Sequence, residues 1–240
     1  MSYGSVDHEI LMQILGEKIG DQRFLRLIRG MLRAGYMEDW EYKETLSGCP
    51  QGGVVSPVLS NIYLHKLDEF VERELIPQYT RGKGRKLNPQ YRGIWQRLAA
   101  ARELGDRDQI RKLTRELRAV PSVDPTDPGY RRLVYCRYAD DHLLGFIGPK
   151  AEAEVIKEKL AFFLRETLAL ELNPDKTLIT HARTGAARFL GYEITVQHCD
   201  TQLTNGRRMV NGKVALMVPK DVIKAKCGPL PEARKTLAPA

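Results

Sequence analysis

Two adjacent aspartates, Asp140 and Asp141, lie between two short apolar runs, and this arrangement constrains the fold more than any other feature. The runs, 133–138 and 142–147, are rich in β-branched and aromatic residues, which is typical of strands. The pattern predicts a β-hairpin with both carboxylates at its tip. Neighbouring carboxylates repel each other unless a cation neutralises them, and hard divalent ions such as Mg²⁺ prefer oxygen ligands. The alternative is an exposed acidic turn, which the flanking strands weaken without removing it.

The composition predicts a globular protein with a polyanionic partner. The chain has 240 residues, of which 42% are hydrophobic and 28% charged, and its formal net charge is +8. Such a charge favours nucleic acid or an acidic membrane surface as partner. No stretch approaches the roughly 20 apolar residues of a membrane span, so we expect no membrane insertion.

The cysteines and histidines give no sign of a structural metal site. Cys49, Cys136, Cys199 and Cys227 are scattered without metal-ligand spacing, and the histidines form no paired motif. The simplest interpretation is a set of reduced thiols in a cytoplasmic protein, of a bacterium or of an organelle.

Apolar periodicity predicts the remaining elements. The predicted helices are a pair within residues 1–35, the second capped by Asp21, a third from Ser56-Pro57 to about Leu75, and a fourth from about Ala151. The predicted strands are 40–45, 177–180 and 188–195, and a last hairpin is predicted to turn at Asn211-Gly212.

A basic segment interrupts this pattern between residues 81 and 118. It holds twelve lysines and arginines against four acidic residues, with Tyr91 and Trp95 interleaved. Two interpretations remain open, a solvated helical insertion and a surface that follows a phosphate backbone. On the second interpretation the RNA-binding residues would be Arg81, Lys83, Arg85, Lys86, Arg111 and Lys112.

Four motifs in order resemble successive motifs of reverse transcriptases. They are PQGGVVSPVLSNIYL at 50–64, RYADD at 137–141, LNPDKT at 172–177 and ARFLGY at 187–192. Their order and spacing are similar to the group II intron-encoded reverse transcriptase/maturase family, from about Val6 to Cys227. The basic insertion near residue 80 and the segment 219–227 also resemble that family, and the latter resembles the start of its RNA-binding thumb, domain X.

The resemblance implies roles for particular residues. Asp140 and Asp141 would coordinate catalytic Mg²⁺ or Mn²⁺, and Ala139 would leave room for the primer end beside Tyr138. Lys176 would approach the leaving pyrophosphate, although an ordinary surface lysine is the alternative. Gln51 and Gly52 would contact a nucleotide or the template strand. Phe189, Leu190 and Gly191 would form the primer-grip hairpin, its apolar members also packing in the core.

The resemblance also implies an α+β fold, a reverse-transcriptase palm with a small antiparallel sheet and helices on one face. The aspartate hairpin would lie at the sheet centre, with the fingers absent and the thumb incomplete. Four segments follow from it. Residues 1–75 would be the first palm helices with the Gln-Gly loop, 76–131 the basic family insertion, 132–196 the palm core with the primer grip, and 197–240 the start of the thumb with a disordered tail.

The chain departs from the family pattern at its start. Such palms need a third metal-binding aspartate several residues upstream of the segment matched here by Tyr3-Gly4, and the given sequence begins after that position. Asp7 matches a helix-capping residue instead. Because losing one charge-stabilising group costs roughly 10²–10³-fold in rate, we expect the isolated chain to be very weakly active at best. A separate chain is one source of the missing strand and fingers.

Three functional interpretations follow. The first is a fragment of an RNA-directed DNA polymerase that extends a DNA primer on an RNA template from deoxynucleoside triphosphates, in a family whose complete members also act on intron RNA. The second is a non-catalytic, maturase-like RNA-binding module. The third is a decayed gene product without a stable fold.

Overall fold

The computed structural model describes residues 6–33, 36–38, 41–43, 55–198 and 212–227. Its helices are α1 (His8–Gly16), α2 (Gln22–Arg33), α3 (Ser56–Phe70), α4 (Ile76–Gln78), α5 (Pro89–Glu103), α6 (Arg107–Ala119), α7 (Lys150–Leu168) and α8 (Lys220–Cys227). Its strands are β1 (Tyr36–Glu38), β2 (Glu41–Lys43), β3 (Arg132–Tyr138), β4 (Asp141–Ile147), β5 (Ala187–Phe189), β6 (Tyr192–Val196) and β7 (Val214–Met217). The chain forms two compact units, Met1–Ile179 and Thr180–Ala240.

The α+β class is confirmed, but the strands among the described residues form three small antiparallel sheets. They are the pairs β1–β2 and β3–β4 and the three-stranded sheet β5–β6–β7. The prediction that the aspartate hairpin lies at the centre of one small antiparallel sheet is therefore wrong within the described residues. Neither β3 nor β4 has a further hydrogen-bonded strand there. The four functional segments proposed from the sequence stay a prediction.

One hydrophobic core joins the helices of the first unit to the β3–β4 hairpin. Buried side chains of α1, α2, α3 and α7 meet Leu133 of β3, and Tyr135, Leu144 and Phe146 pack against the same cluster. These four hairpin residues share one face of the sheet because successive strand side chains alternate. The helices consequently cover one face of the hairpin, as predicted.

The first two helices begin where their capping residues predict. The Asp7 carboxylate accepts the N–H groups of Glu9 and Ile10, each at 2.9 Å, so its role as a helix cap is confirmed. Asp21 accepts the Arg23 N–H at 2.8 Å at the start of α2. The predicted strand at 40–45 is present over Glu41–Lys43, paired with β1.

Helix α3 begins at Ser56 with Pro57 in its first turn, as predicted, although Val55 is its N-cap residue. The helical rod continues through a π-helical turn, Val71–Leu75, into α4. Pro77 lies two residues after the end of that turn and offers no N–H to the carbonyl of Arg73, and we attribute the widened turn to it.

Helix α7 is fastened to α3 at its end by a buried hydrogen bond. The Tyr63 hydroxyl, fully buried, donates to the carbonyl of Leu168 at 2.6 Å. The last carbonyls of a helix have no partner within the helix, so Tyr63 supplies one of the missing donors. Burial is the main cause that raises the pKa of Tyr63 to about 12, so its proton stays in place at physiological pH.

The basic segment forms a helical hairpin of α5 and α6 with a small core of its own, Ile94, Leu98, Ala101 and Leu113. Its two ends are held side by side, because the backbones of Arg81 and Arg131 exchange hydrogen bonds of 3.1 and 3.0 Å. Gly82 has a φ of 78°, and a Cβ there would lie 2.5 Å from the Gly129 carbonyl oxygen. The insertion is therefore an ordered part of the first unit.

The second unit is the three-stranded sheet followed by α8. Strands β5 and β6 join at Leu190 and Gly191, whose φ angles of 50° and 79° are those a type I′ hairpin requires. The strand predicted at 177–180 is wrong, since these residues join no sheet. Strand β7 pairs with β6. The hairpin predicted to turn at Asn211-Gly212 stays a prediction, because Asn211 and the residues before it lie outside the described residues. The predicted tail begins at Lys224 and overlaps α8 as far as Cys227, and its remainder also lies outside the described residues.

In the described part of the chain, no helix is both long and apolar enough to span a membrane.

Tyr63→Phe should destabilise the first unit because it leaves the buried Leu168 carbonyl without its donor. We expect a loss of about 1–3 kcal/mol in the free energy of unfolding, measured by urea denaturation followed by circular dichroism. Tyr192→Phe, at a half-exposed ring of the second unit, is the matched control and should change stability by less than about 0.5 kcal/mol. Equal effects of the two changes would contradict the role given to Tyr63.

Candidate active site at the β3–β4 hairpin

The two aspartates lie at a tight hairpin, as the sequence predicts. Tyr138 pairs with Asp141, so Ala139 and Asp140 form a two-residue loop. Ala139 has a φ of 53°, and a positive φ at the first loop residue is typical of the primed turns that match strand twist. Asp140 is half-buried at the tip and Asp141 is exposed.

The hairpin has two unlike faces. Leu133, Tyr135 and Arg137 point toward the helices, whereas Val134, Cys136 and Tyr138 alternate with them and are exposed. Asp141 is paired with Tyr138 and belongs to this outer face. Tyr138 is 66% exposed and Val134 is 61% exposed, so the face that carries Asp141 is open to solvent.

Arg137 fixes the tip of the hairpin to helix α3. Its guanidinium donates to both carboxylate oxygens of Asp68, at 2.8 and 2.6 Å, and to Asn61 Oδ1 at 2.9 Å. The same group donates to the carbonyl of Ala139 at 2.7 Å, which holds the loop residue that precedes the aspartates. Tyr135 donates its hydroxyl to Asp68 at 2.9 Å. A bidentate arginine–carboxylate pair is strongly directional, so the loop is oriented from below by α3.

This network shifts the ionisation of its members. Burial alone would raise the pKa of Asp68, but hydrogen bonds from Arg137 and Tyr135, with the guanidinium charge, hold its pKa below the usual range. Burial, then the hydrogen bond to Asp68, raises the pKa of Tyr135. Asp68 is therefore ionised and Tyr135 protonated at physiological pH.

His142 lies beside the aspartates on the inner face, paired with Arg137 across the strands. Burial lowers its pKa, and a hydrogen bond to the backbone of Asp140 opposes that shift only in part. The imidazole is consequently neutral at physiological pH and supports the turn without adding a positive charge.

The carboxylates of Asp140 and Asp141 fit the donor chemistry of Mg²⁺. Proteins commonly hold this ion through one or two carboxylates, with water and substrate phosphates completing its octahedron. Among the described residues, no group of three or more histidine, cysteine, aspartate or glutamate side chains is arranged to hold a metal ion.

The other predicted site residues lie outside the β3–β4 hairpin or outside the described residues. Lys176 is exposed on a turn that Asn173 stabilises, its side-chain oxygen accepting the N–H groups of Asp175 and Lys176 at 2.9 and 3.2 Å. Gln51 and Gly52 lie outside the described residues. Phe189, Leu190 and Gly191 form the tip of the β5–β6 hairpin in the second unit. The roles assigned to these residues stay predictions.

The six predicted RNA-binding residues lie in two places on the insertion. Arg81, Lys83, Arg85 and Lys86 belong to its base, where Arg81 contacts Glu152 at 3.5 Å and Arg85 lies over the Tyr130 ring at 5.5 Å. Arg111 and Lys112 are exposed on α6.

Sequence reasoning missed Asp68, Asn61 and His142 as residues that shape the site. The sequence offers no clear signal for Asp68, since Lys66 and Glu69 are charged residues beside it on the same helix. Its partner Arg137 is 69 positions away and reaches it through the packing of α3 against β3.

Curated proteins include relatives of this chain. No protein-family model matches the chain. Over 232 residues, the chain is 36% identical to the group II intron-encoded protein LtrA of Lactococcus lactis subsp. cremoris, an alignment that covers 90% of this chain and 38% of LtrA. The chain is a homologue of group II intron-encoded proteins.

Relatives from mitochondria extend this result. The chain is 36% identical over 195 residues to the putative COX1/OXI3 intron 1 protein of Saccharomyces cerevisiae. This alignment covers 81% of the chain and 23% of that protein. The chain is 28% identical over 185 residues to nuclear intron maturase 4, mitochondrial, of Arabidopsis thaliana, covering 76% of this chain and 22% of that protein. The chain thus spans less than half the length of these curated relatives.

Asp68→Asn should loosen the hairpin because Arg137 loses its charged acceptor. We expect the free energy of unfolding at pH 7 to fall by about 2 kcal/mol, measured by urea denaturation. The pKa of Asp68 is lower in the folded state than in the unfolded state, where it is near 4. The ionised carboxylate therefore contributes to stability fully above the unfolded-state pKa, and this contribution is lost as the pH falls through the folded-state pKa. The difference between variant and wild type should therefore shrink below about pH 4. A difference that stays constant down to pH 2 would contradict this assignment.

Proposed function

We propose that this chain is a palm portion of an RNA-directed DNA polymerase of the group II intron type. Asp140 and Asp141 hold the divalent ion, and Tyr138 and Ala139 lie beside the primer end. The observation that supports this most directly is the hairpin itself. Its inner face is fixed to α3 through Arg137 and Asp68, and its outer face, with Asp141 on it, is open.

The residues at the tip suit a terminus of nucleic acid. The side chain of Ala139 is a single methyl group. The positive φ of this residue is part of the tight turn that contains Asp140 and precedes Asp141. Mg²⁺ or Mn²⁺ held by them would stabilise the charge that develops when a primer 3′-hydroxyl attacks a deoxynucleoside triphosphate. The exposed ring of Tyr138 offers a flat surface next to that position.

A second candidate function is RNA binding without catalysis, as a maturase-like module. The observation that favours it is the basic helical hairpin, a large cationic surface on an ordered insertion. Because phosphate contacts dominate affinity for nucleic acid, this surface is sufficient for binding whether or not the aspartates act.

The polymerase proposal predicts a metal site that depends on both aspartates. Mn²⁺ binding, followed by its paramagnetic signal with a primer and RNA template present, should weaken at least about 10-fold in Asp140→Asn and in Asp141→Asn. Asp108→Asn, an exposed aspartate on α6, is the matched control and should bind Mn²⁺ as the wild type does. Unchanged binding in both hairpin variants would contradict the proposal.

Primer extension on an RNA template with Mg²⁺ tests the reaction itself. We expect the isolated chain to incorporate deoxynucleotides very weakly, and Asp140→Ala to abolish that signal. Robust extension by the wild type would contradict the weak-activity expectation, and extension that survives in Asp140→Ala would contradict the catalytic site.

The two candidate functions separate in a binding measurement. Asp140→Asn should leave RNA affinity unchanged, whereas neutralising Arg85, Lys86, Arg111 and Lys112 together should weaken it and reduce its salt dependence. Loss of RNA binding in Asp140→Asn at physiological salt would contradict the RNA-binding module.

A further inference from the structure

The helical hairpin α5–α6 has two different sides. On one side a groove of about 600 Å³ lies between the helices, lined by Gly93, Arg97 and Glu116 among others. Arg97 and Glu116 approach to 3.5 Å across it, so the charges on that side are paired. The opposite side is mainly basic, although Asp108 of α6 also lies there.

The arginines of α6 form a stripe that faces away from the core of the hairpin. Arg107, Arg111, Arg115 and Arg118 recur every three or four residues and are all exposed. At 100° per residue each lies at least about 120° from the buried Leu113. Within the described residues none of the four forms an ion pair. This set is called the arginine stripe below.

Trp95 of α5 lies on the same side of the hairpin as the nearer edge of the arginine stripe. On α5, Trp95 lies about 160° around the helix axis from Gly93, which lines the groove. On α6, Arg107 lies about 180° around the axis from Glu116, which also lines the groove. Both side chains therefore lie on the side away from the groove. The Trp95 side chain is 54% exposed. An exposed indole ring offers a flat apolar surface on which an unpaired base can stack.

We propose that this side of the α5–α6 hairpin is a binding site for single-stranded RNA, in which Trp95 stacks on an unpaired base and the arginine stripe holds the flanking phosphates. The stripe extends roughly 16 Å along α6, and each of its four arginines can contact one phosphate of a strand. The proposal rests on the proposed function for the choice of RNA. To Arg111, already chosen from the sequence, it adds Trp95, Arg107, Arg115 and Arg118.

The chemistry favours a single strand over other anionic partners. Arginine follows phosphates, and an exposed aromatic ring accepts any base that is free to leave its stack, whereas a base inside a duplex is not available. A helix that lies in a membrane surface buries a continuous apolar face, and here the outward face of α6 is arginine. The Trp95 ring therefore points to an unpaired nucleotide as the ligand.

The first test measures the affinity of the 240-residue chain for a labelled oligouridine and for a blunt RNA duplex, by fluorescence anisotropy without divalent metal. Trp95→Ala should weaken oligouridine binding about 5- to 150-fold and leave duplex binding nearly unchanged. Trp95→Phe keeps a ring and should restore most of the affinity. Leu104→Ala removes an exposed apolar side chain at the turn between the helices and is the control. Equal oligouridine binding by Trp95→Ala and wild type would overturn the stacking site.

The second test concerns the arginine stripe. Changing its four arginines to glutamine should lower the slope of log affinity against log salt by about 2–3, since each single-strand phosphate contact contributes about 0.7. The charge-matched control changes Arg23, Arg26, Arg73 and Arg165, which are exposed on other helices. Equal slopes in the two quadruple variants would overturn the stripe as a phosphate site.

Fluorescence gives a direct readout of Trp95. The chain has two tryptophans, so Trp40→Phe leaves Trp95 as the only one. Oligouridine should quench its emission, and vesicles of anionic phospholipid should not. A blue shift with vesicles and no response to oligouridine would assign the surface to membranes and overturn the proposal.

These results are independent of catalysis. If Asp140→Asn leaves Mn²⁺ binding unchanged while Trp95→Ala loses oligouridine, the polymerase proposal fails and the RNA site stands. If Mn²⁺ binding weakens in Asp140→Asn while Trp95→Ala keeps its affinity for oligouridine, the metal site is supported and the RNA site is overturned.

Discussion

The pair formed by Arg137 and Asp68 is the interaction on which the candidate site depends. A two-stranded hairpin is marginal in water by itself, so β3–β4 needs support from outside its own ladder. Apolar contacts of Leu133, Leu144 and Phe146 attach its inner face, but such contacts have no direction. The bidentate pair adds direction at the tip, and through the Ala139 carbonyl it reaches the turn itself. Helix α3 thereby decides where the two aspartates lie.

Local signals explain which elements could be predicted from the sequence. The hairpin, the start of α3 at Pro57, the long helix α7 and the caps Asp7 and Asp21 each depend on residues close together in the chain, and all are present. The segment 177–180 shows how such a signal fails. Its apolar residues suggest a strand, yet Leu178 is 74% exposed and the backbone before it turns around Asn173. A strand needs a neighbour, and its own residues do not reveal whether one exists.

The hairpin of the candidate site could be predicted from the sequence, whereas its support could not. Adjacent aspartates between strands point to a hairpin, which is present, and to a metal, which stays a prediction. Asp68 and Arg137 are 69 positions apart, so their contact follows from the packing of α3 against β3 and from no local pattern. The basic segment behaves similarly. Its charge was evident, whereas the division of its arginines between a paired groove and an outward stripe required the helices themselves.

The aspartate hairpin and the cationic insertion are joined directly through Arg131 and strand β3. Arg131 closes the base of the insertion, donating to the carbonyls of Asp127 and Tyr130 and to the carboxylate of Glu152 on α7. Strand β3 begins at the next residue, Arg132, and ends at Tyr138, so roughly 20 Å of paired strand lies between that base and the aspartates. RNA held on the α5–α6 hairpin would therefore be held relative to the carboxylates as well. A cationic insertion at this place in the chain serves a polymerase and an RNA-binding module equally, because both need the nucleic acid fixed with respect to the hairpin tip.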